Sequence, residues 1–278
     1  MKLYKKITGS LLLLSAFSFA ISSCQKMERP ALGDYPVDTN PPGGPLEFYV
    51  AFDATGVDST RANFGAENNV TYVDGVNGKA YQGSPTTFVQ YGKANNFATA
   101  TSFTIAFWIK KTPQPAGNGT NFAFALNATG YSWTQLKLFL LFEDAGNPST
   151  TDLAAAKLYI LDQWFEYVGD KRMPKVLDGT WHHLAFTYDE NTSLLETYID
   201  GAPFTNLPAG FGNVTNGGSP RGKLDFGSTN GFTIGGPGAT AQGANSWMGN
   251  LDGQLDQFRL YNVALSSSDI AELYASKK

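Results

Sequence analysis

Apolar and polar positions alternate along much of the chain with a period of two. In Ser102–Lys110, Phe103, Ile105, Phe107 and Ile109 fall on one side of an extended chain, and Thr104, Ala106 and Trp108 on the other. That spacing predicts a strand. Similar aromatic and β-branched runs predict strands at Leu46–Phe52, Phe88–Tyr91, Asn121–Leu126, Leu136–Phe142, Lys157–Leu161, Trp181–Tyr188, Leu194–Ile199, Phe232–Gly235 and Gly253–Asn262. Asp189–Ser193 (DENTS) is wholly polar and separates two of them, and Asp200-Gly201 is a strong turn dipeptide. Residues 178–201 therefore read as a long antiparallel hairpin. A helix start is legible at Ser266, with Asp269 in the first turn and Ile270, Leu273 and Tyr274 on one face. Thr112–Thr120, Glu143–Leu153 and Ala202–Gly231 read as loops, the last a long irregular excursion. The pattern is that of an all-β chain closed by a short C-terminal helix.

The first 45 residues break this pattern. Lys2, Lys5 and Lys6 precede an apolar run ending at Ile21, too short to span a membrane as a helix. The run closes on Ile21-Ser22-Ser23-Cys24, which looks like a bacterial lipobox with Cys24 as the lipidated residue. The expected organisation is a signal peptide over 1–23, a lipidated Pro/Gly-rich tether over 24–45 and a folded domain over 46–278. The tether holds Pro30, Pro36, Pro41, Pro42 and Pro45 and cannot bury a core. At ~3.1 Å per residue it reaches on the order of 60 Å. Gln25-Lys26-Met27-Glu28 is similar to short signals that send Bacteroidota lipoproteins to the cell surface. The expected location is the outer membrane, held through the lipid on Cys24, exposed at the cell surface and within reach of outer-membrane partner proteins.

Composition narrows the function. Charged residues are 16% of the chain, against roughly 25% in an average globular protein, and there are 30 Gly and 14 Pro, as many short strands and turns require. The formal charge is −4 with no basic block, which argues against a nucleic-acid partner. Removing residues 1–23 takes away three lysines and no acid, so the charge becomes −7. One cysteine excludes an internal disulfide and any site built from two thiolates.

Several of these stretches also carry a family pattern. Gly179, Trp181, His182, His183, Leu184, Ala185, Phe186, Thr187, Tyr188 and Asp189, followed by Tyr198-Ile199-Asp200-Gly201, resemble the laminin-G-like domains of the concanavalin A-like lectin/glucanase superfamily. So do Gly75, Gly78, Ala80 and Tyr81, the SFTIAFWIK strand, and the closing GQLDQFRLYN. The resemblance spans about 46–278 in order. It implies an antiparallel β-sandwich jelly roll, concanavalin A-like and laminin-G-like, with a short C-terminal helix. It also implies a structural calcium, tested first at Asp53 and Asp256, with Asp58 and Asp252 behind them. Calcium is a hard ion that takes the oxygen ligands Asp and loop carbonyls supply. The superfamily contains lectins, enzymes, adhesion modules and structural domains, so the fold alone does not assign an activity.

The search for chemistry mostly excludes. His182 and His183 are neighbours on a strand and point to opposite faces, so they cannot chelate one ion, and the resemblance makes them framework. No G-x-S-x-G elbow is present. GGSPRGK (217–223) has the spacing of a phosphate-binding loop, but Leu224 stands where Ser or Thr must bind the metal. The E-x-D-x-(x)-E array of glucanases is absent, and if 162–166 were extended, Asp162 and Glu166 would share a face about 13 Å apart, beyond the roughly 5–9.5 Å of a glycosidase pair. Glu143 and the other acids read as solvated surface groups. Exposed rings remain as the means of holding a sugar, whose apolar faces stack on them. Tyr131, Trp133, Trp164 and Tyr167 are the candidates, and Trp247 is compatible with either core or surface. The expectation is a non-catalytic lipoprotein that binds a polysaccharide or other glycan. The alternatives are an adhesion or structural module that binds protein, and a diverged glycan hydrolase or lyase.

Overall fold

The computed structural model describes residues 44–113, 119–128, 136–143, 151–227 and 229–277. Cys24, Tyr131 and Trp133 lie outside the described residues. The strands in chain order begin with Leu46–Val50 (β1), Ala66–Asn68 (β2), Thr71–Asp74 (β3), Lys79–Gln82 (β4), Phe88–Tyr91 (β5) and Phe103–Lys110 (β6). Thr120–Ala128 (β7), Leu136–Glu143 (β8), Ala156–Ile160 (β9) and Gln163–Tyr167 (β10) follow. Trp181–Asp189 (β11), Leu194–Ile199 (β12), Ala202–Pro203 (β13), Thr229–Ile234 (β14), Met248–Asn250 (β15) and Gln254–Tyr261 (β16) complete the strands of the two large sheets. Two helices, Ala239–Ala244 (α1) and Ser267–Ser276 (α2), lie late in the chain.

The strands form two sheets of eight. The first runs β13-β12-β11-β6-β16-β4-β3, with β1 also on β16; the second runs β10-β9-β8-β7-β14-β5-β2, with β15 joined parallel to β7. The sandwich that the family resemblance implies is present. One face of each sheet supplies the shared core, with Phe48, Phe103, Phe107 and Phe186 from the first and Phe124, Leu140, Phe165 and Phe232 from the second. Phe107 stacks on Phe258 at 5.4 Å and meets Phe124 edge-on at 6.3 Å. Each such ring contributes about 1.5–3 kcal/mol by leaving water.

The hairpin β11–β12 spans the predicted residues, and its histidines part as strand geometry demands. His182 Nδ1 lies 2.8 Å from Asp200 Oδ2, and Nε2 lies 3.1 Å from both Asp178 Oδ1 and Thr180 Oγ1. The ring thus ties the two ends of the hairpin. His183 faces the other way with Trp108, beneath α2, where Tyr274 stacks on Trp108 at 5.4 Å. Ser266 and Asp269 cap α2 reciprocally, as the sequence predicts.

Two readings change. Gln163–Tyr167 is a strand, so its side chains alternate between faces. Within the Ala202–Gly231 excursion, Thr215–Asn216 pairs with Ser219–Pro220 around Gly217-Gly218. The phosphate-loop look-alike is therefore a hairpin turn, and its Arg221 is committed to Asp162 and to the Thr215 carbonyl. Among the described residues, no helix is long and apolar enough to cross a membrane.

Candidate functional site

Alternation on β8, β9 and β10 builds a surface. Leu140, Phe142, Leu158, Ile160 and Phe165 enter the shared core. The residues between them face outward, and the register places Leu141 opposite Lys157, Tyr159 opposite Trp164 and Lys157 opposite Glu166. On this outer face Phe122, Phe139, Leu141 and Tyr159 form a second apolar cluster, with Trp164 packed at its edge. Trp164 meets Tyr159 at 4.9 Å and Phe139 at 5.3 Å. Trp247 is 40% exposed and lies 6.0 Å from Phe122. Its carbonyl accepts from Thr120 Oγ1 at 2.7 Å, which ties its backbone to β7.

A cavity of about 290 Å³ is lined by Thr120, Leu141, Glu143, Lys157, Trp164 and Trp247. That is near the lower end for small-molecule sites, roughly 300–1,000 Å³. Lys157 Nζ stands 2.8 Å from Glu143 Oε2, 2.9 Å from Glu166 Oε1 and 5.9 Å from the Trp164 ring centre. Burial disfavours its charge, but the two glutamates outweigh that and hold its pKa above the ordinary lysine value. The arrangement joins two indole rings to a charged donor between two acceptors. Rings of this kind stack on flat apolar faces, and the charged groups bond hydroxyls.

Sequence reasoning found part of this site. Trp164 is at the cavity. Tyr167 is not: it is fully buried between the sheets, with its hydroxyl 2.5 Å from Thr197 Oγ1. Three steps along a strand reverse the face, so Trp164 and Tyr167 cannot share a surface. Tyr131 and Trp133 lie outside the described residues. Glu143, read as a solvated acid, is ion-paired and mostly covered, with 16% of its side chain exposed. Lys157 was not read as a site residue. The period of two through Lys157–Ile160 and Gln163–Tyr167 is the signal that would have placed it beside Trp164 and Glu166.

Asp53 and Asp256 meet at the turn between β3 and β4. Asp53 Oδ1 accepts from Lys79 N at 2.7 Å, and Asp256 Oδ2 accepts from Val76 N at 2.7 Å and Asn77 N at 3.3 Å. The turn closes this tightly because it has glycines. A Cβ on Gly75 would fall 2.5 Å from Asp256 Oδ2, and one on Gly78 (φ +70°) would fall 2.0 Å from Asp53 Oδ1. Asp256 is fully buried and its Oδ1 has no hydrogen-bond partner. Burial first, and the Asp53 charge as a lesser cause, push its pKa up to about 6. Asp58, in contrast, caps a turn through the backbone N–H groups of Tyr49, Thr60 and Arg61. Among the described residues, no three Asp, Glu, His or Cys side chains converge on one point.

A family model described as the concanavalin A-like lectin/glucanases superfamily, of the laminin-G type, matches residues 82–271. The chain belongs to this superfamily. The landmark strands β6, β11, β12 and β16 all fall inside the match. No curated protein matches the chain in sequence. Among solved structures, domain 4 of AbnA, a GH43 extracellular arabinanase from Geobacillus stearothermophilus in complex with arabinotriose, is similar over 82% of this chain and 98% of its own, with a TM-score of 0.54 and 19% identity. The binding domain of botulinum neurotoxin DC in complex with rat synaptotagmin II gives a TM-score of 0.54 at 12% identity, over 84% of this chain and 52% of that one. Trypanosoma rangeli sialidase gives 0.54 at 21% identity, over 84% of this chain and 33% of that one. At these identities the likeness is one of fold. This chain spans about half of the neurotoxin domain and a third of the sialidase.

Proposed function

We infer that this superfamily member is a non-catalytic glycan-binding lipoprotein whose site is the Trp164–Trp247 cavity on the outer face of the second sheet. The observation that carries the reading is the pairing of two indoles with Lys157 and Glu143 around one cavity, with Glu166 ion-paired to Lys157 beside it. The arabinanase domain was solved with arabinotriose, so a sandwich of this fold can hold a sugar. A hydrolytic role has less support. Glu143 Oε2 and Glu166 Oε1 both lie within 2.9 Å of one nitrogen, so they stand closer than about 6 Å, a separation that a glycosidase pair can have. Lys157 occupies the space between them that a scissile bond and its water need.

The test is a glycan array probed with the chain from Gln25 onward, with and without calcium. The reading predicts retention of at least one polysaccharide. No binding to any glycan, together with a tight protein partner in pull-down, would instead favour the adhesion alternative.

The calcium reading fits the residues present. Asp256 Oδ1 is a buried acceptor with no partner, Asp53 is a second carboxylate on the same turn, and hard oxygens suit this ion. Turn carbonyls and water would complete the six to eight ligands that calcium takes. The ion would supply charge compensation and lock the β3–β4 turn. Millimolar calcium is expected to raise the thermal midpoint, since a ligand of the folded state alone stabilises it. Asp256→Asn is expected to abolish that rise, and an equal rise in the variant would remove Asp256 from the site. The lipid anchor and outer-membrane location rest on the Ile21–Cys24 motif. Palmitate labelling is expected in the wild type and not in Cys24→Ala; equal labelling refutes the anchor.

A further inference from the structure

The charge of the cavity narrows the class of glycan. This step rests on the glycan reading of the Trp164–Trp247 site. Glu143 and Glu166 contribute two negative charges and Lys157 one positive charge, and the ammonium is already held by both acids at 2.8 and 2.9 Å. A carboxylate or sulfate arriving here meets a cation whose charge is spoken for and two anions close behind it. Burial sharpens that repulsion, because only 16% of the Glu143 side chain and 23% of the Lys157 side chain are exposed. The other polar lining group, Thr120, donates its hydroxyl to the Trp247 carbonyl at 2.7 Å, so it offers no donor to an anion.

An uncharged sugar meets the same groups favourably. An ammonium has three donors, and here it is ion-paired with two carboxylate oxygens, so at least one donor remains. Glu166, with 46% of its side chain exposed, is the accessible acceptor next to it. Neighbouring sugar hydroxyls both donate and accept, so one can donate to Glu166 while the next accepts from Lys157. The indoles of Trp164 and Trp247 then take the C–H face of the ring. We propose that this site takes neutral glycans with a vicinal diol and rejects the corresponding uronates and sulfated sugars.

The experiment uses matched ligands. Soluble glucan, mannan and galactan are titrated against the protein by calorimetry, and each polymer that binds is then oxidised at C6 to its uronate and titrated again. Binding to the uronate is expected to be at least tenfold weaker at low salt, and the gap is expected to shrink as ionic strength rises, because salt screens charge repulsion but not a steric clash. Glu166→Gln, which removes one negative charge with little change of shape, is expected to narrow the gap at least threefold. Equal or tighter binding of the uronate would overturn the charge argument and leave the glycan reading standing. A gap that neither salt nor Glu166→Gln changes would also overturn it. Binding of neither form of any polymer would overturn the glycan reading itself.

Discussion

Trp164 and Tyr167 stand three residues apart on β10, and one step of strand geometry gives them opposite roles. Trp164 sits on the outer face against Tyr159 and Phe139, whereas Tyr167 lies in the core against Phe186 and Phe211. Tyr167→Ala is expected to cost about 3–5 kcal/mol in chemical denaturation, as for other large buried rings. Tyr167→Phe is expected to cost about 1 kcal/mol through the lost bond to Thr197. Neither change should alter glycan affinity in the folded protein, and a loss of affinity in Tyr167→Phe would return this residue to the site. The sequence already held the information: QWFEY alternates, and reading it as a strand puts Trp164 and Glu166 on one face. What it could not hold was the ion cluster. Lys157 meets Glu143 across one strand pair and Glu166 across another, and both contacts depend on a register set by the folded sheet.

The pairing of β11 with α2 shows what an element does to a side chain. His183 lies between Trp108 and Tyr274, and neither ring nitrogen has a hydrogen-bond partner. Burial first, and then the Arg259 charge, lower its pKa from 6.5 to about 3. The unfolded chain therefore takes up this proton first as pH falls. The stability that neutral His183 allows is present above pH 6.5 and is lost progressively down to about pH 3, at about 1.4 kcal/mol per pH unit. Asp256 acts in the opposite sense between pH 6 and 3.8, since its folded pKa is raised. The comparison with His183→Leu isolates the histidine. Below pH 6.5 the wild type is expected to lose stability relative to the variant, and parallel curves would contradict the assignment. The hairpin, the closing strand and the capped helix were all legible, because each rests on local alternation, turn residues or caps. The short strands β2 and β15 and helix α1 were not, because few of their residues carry a local pattern.

At the scale of the whole molecule, family landmarks and functional groups occupy different places. The Trp-His-His motif belongs to the first sheet and serves its framework, with His182 clamped by Asp178 and Asp200 and His183 roofed by α2. The candidate site lies on the second sheet, on strands that the family landmarks do not mark. This is why the sequence identified the fold more fully than the site: the landmark residues lie within single strands and turns, whereas the outer face of β8–β10 is assembled by the register between strands. Trp247 reaches that face from a different part of the chain, through its bond to Thr120. The most direct test of the account is calorimetric titration of the best-bound polysaccharide into the wild type, Trp164→Ala, Trp247→Ala and the double variant. Each single change is expected to weaken binding about tenfold, about 1.4 kcal/mol, and the double variant to bind too weakly to measure, with thermal midpoints close to the wild type. A double variant that binds as tightly as the wild type would place the ligand elsewhere on the molecule and contradict the account.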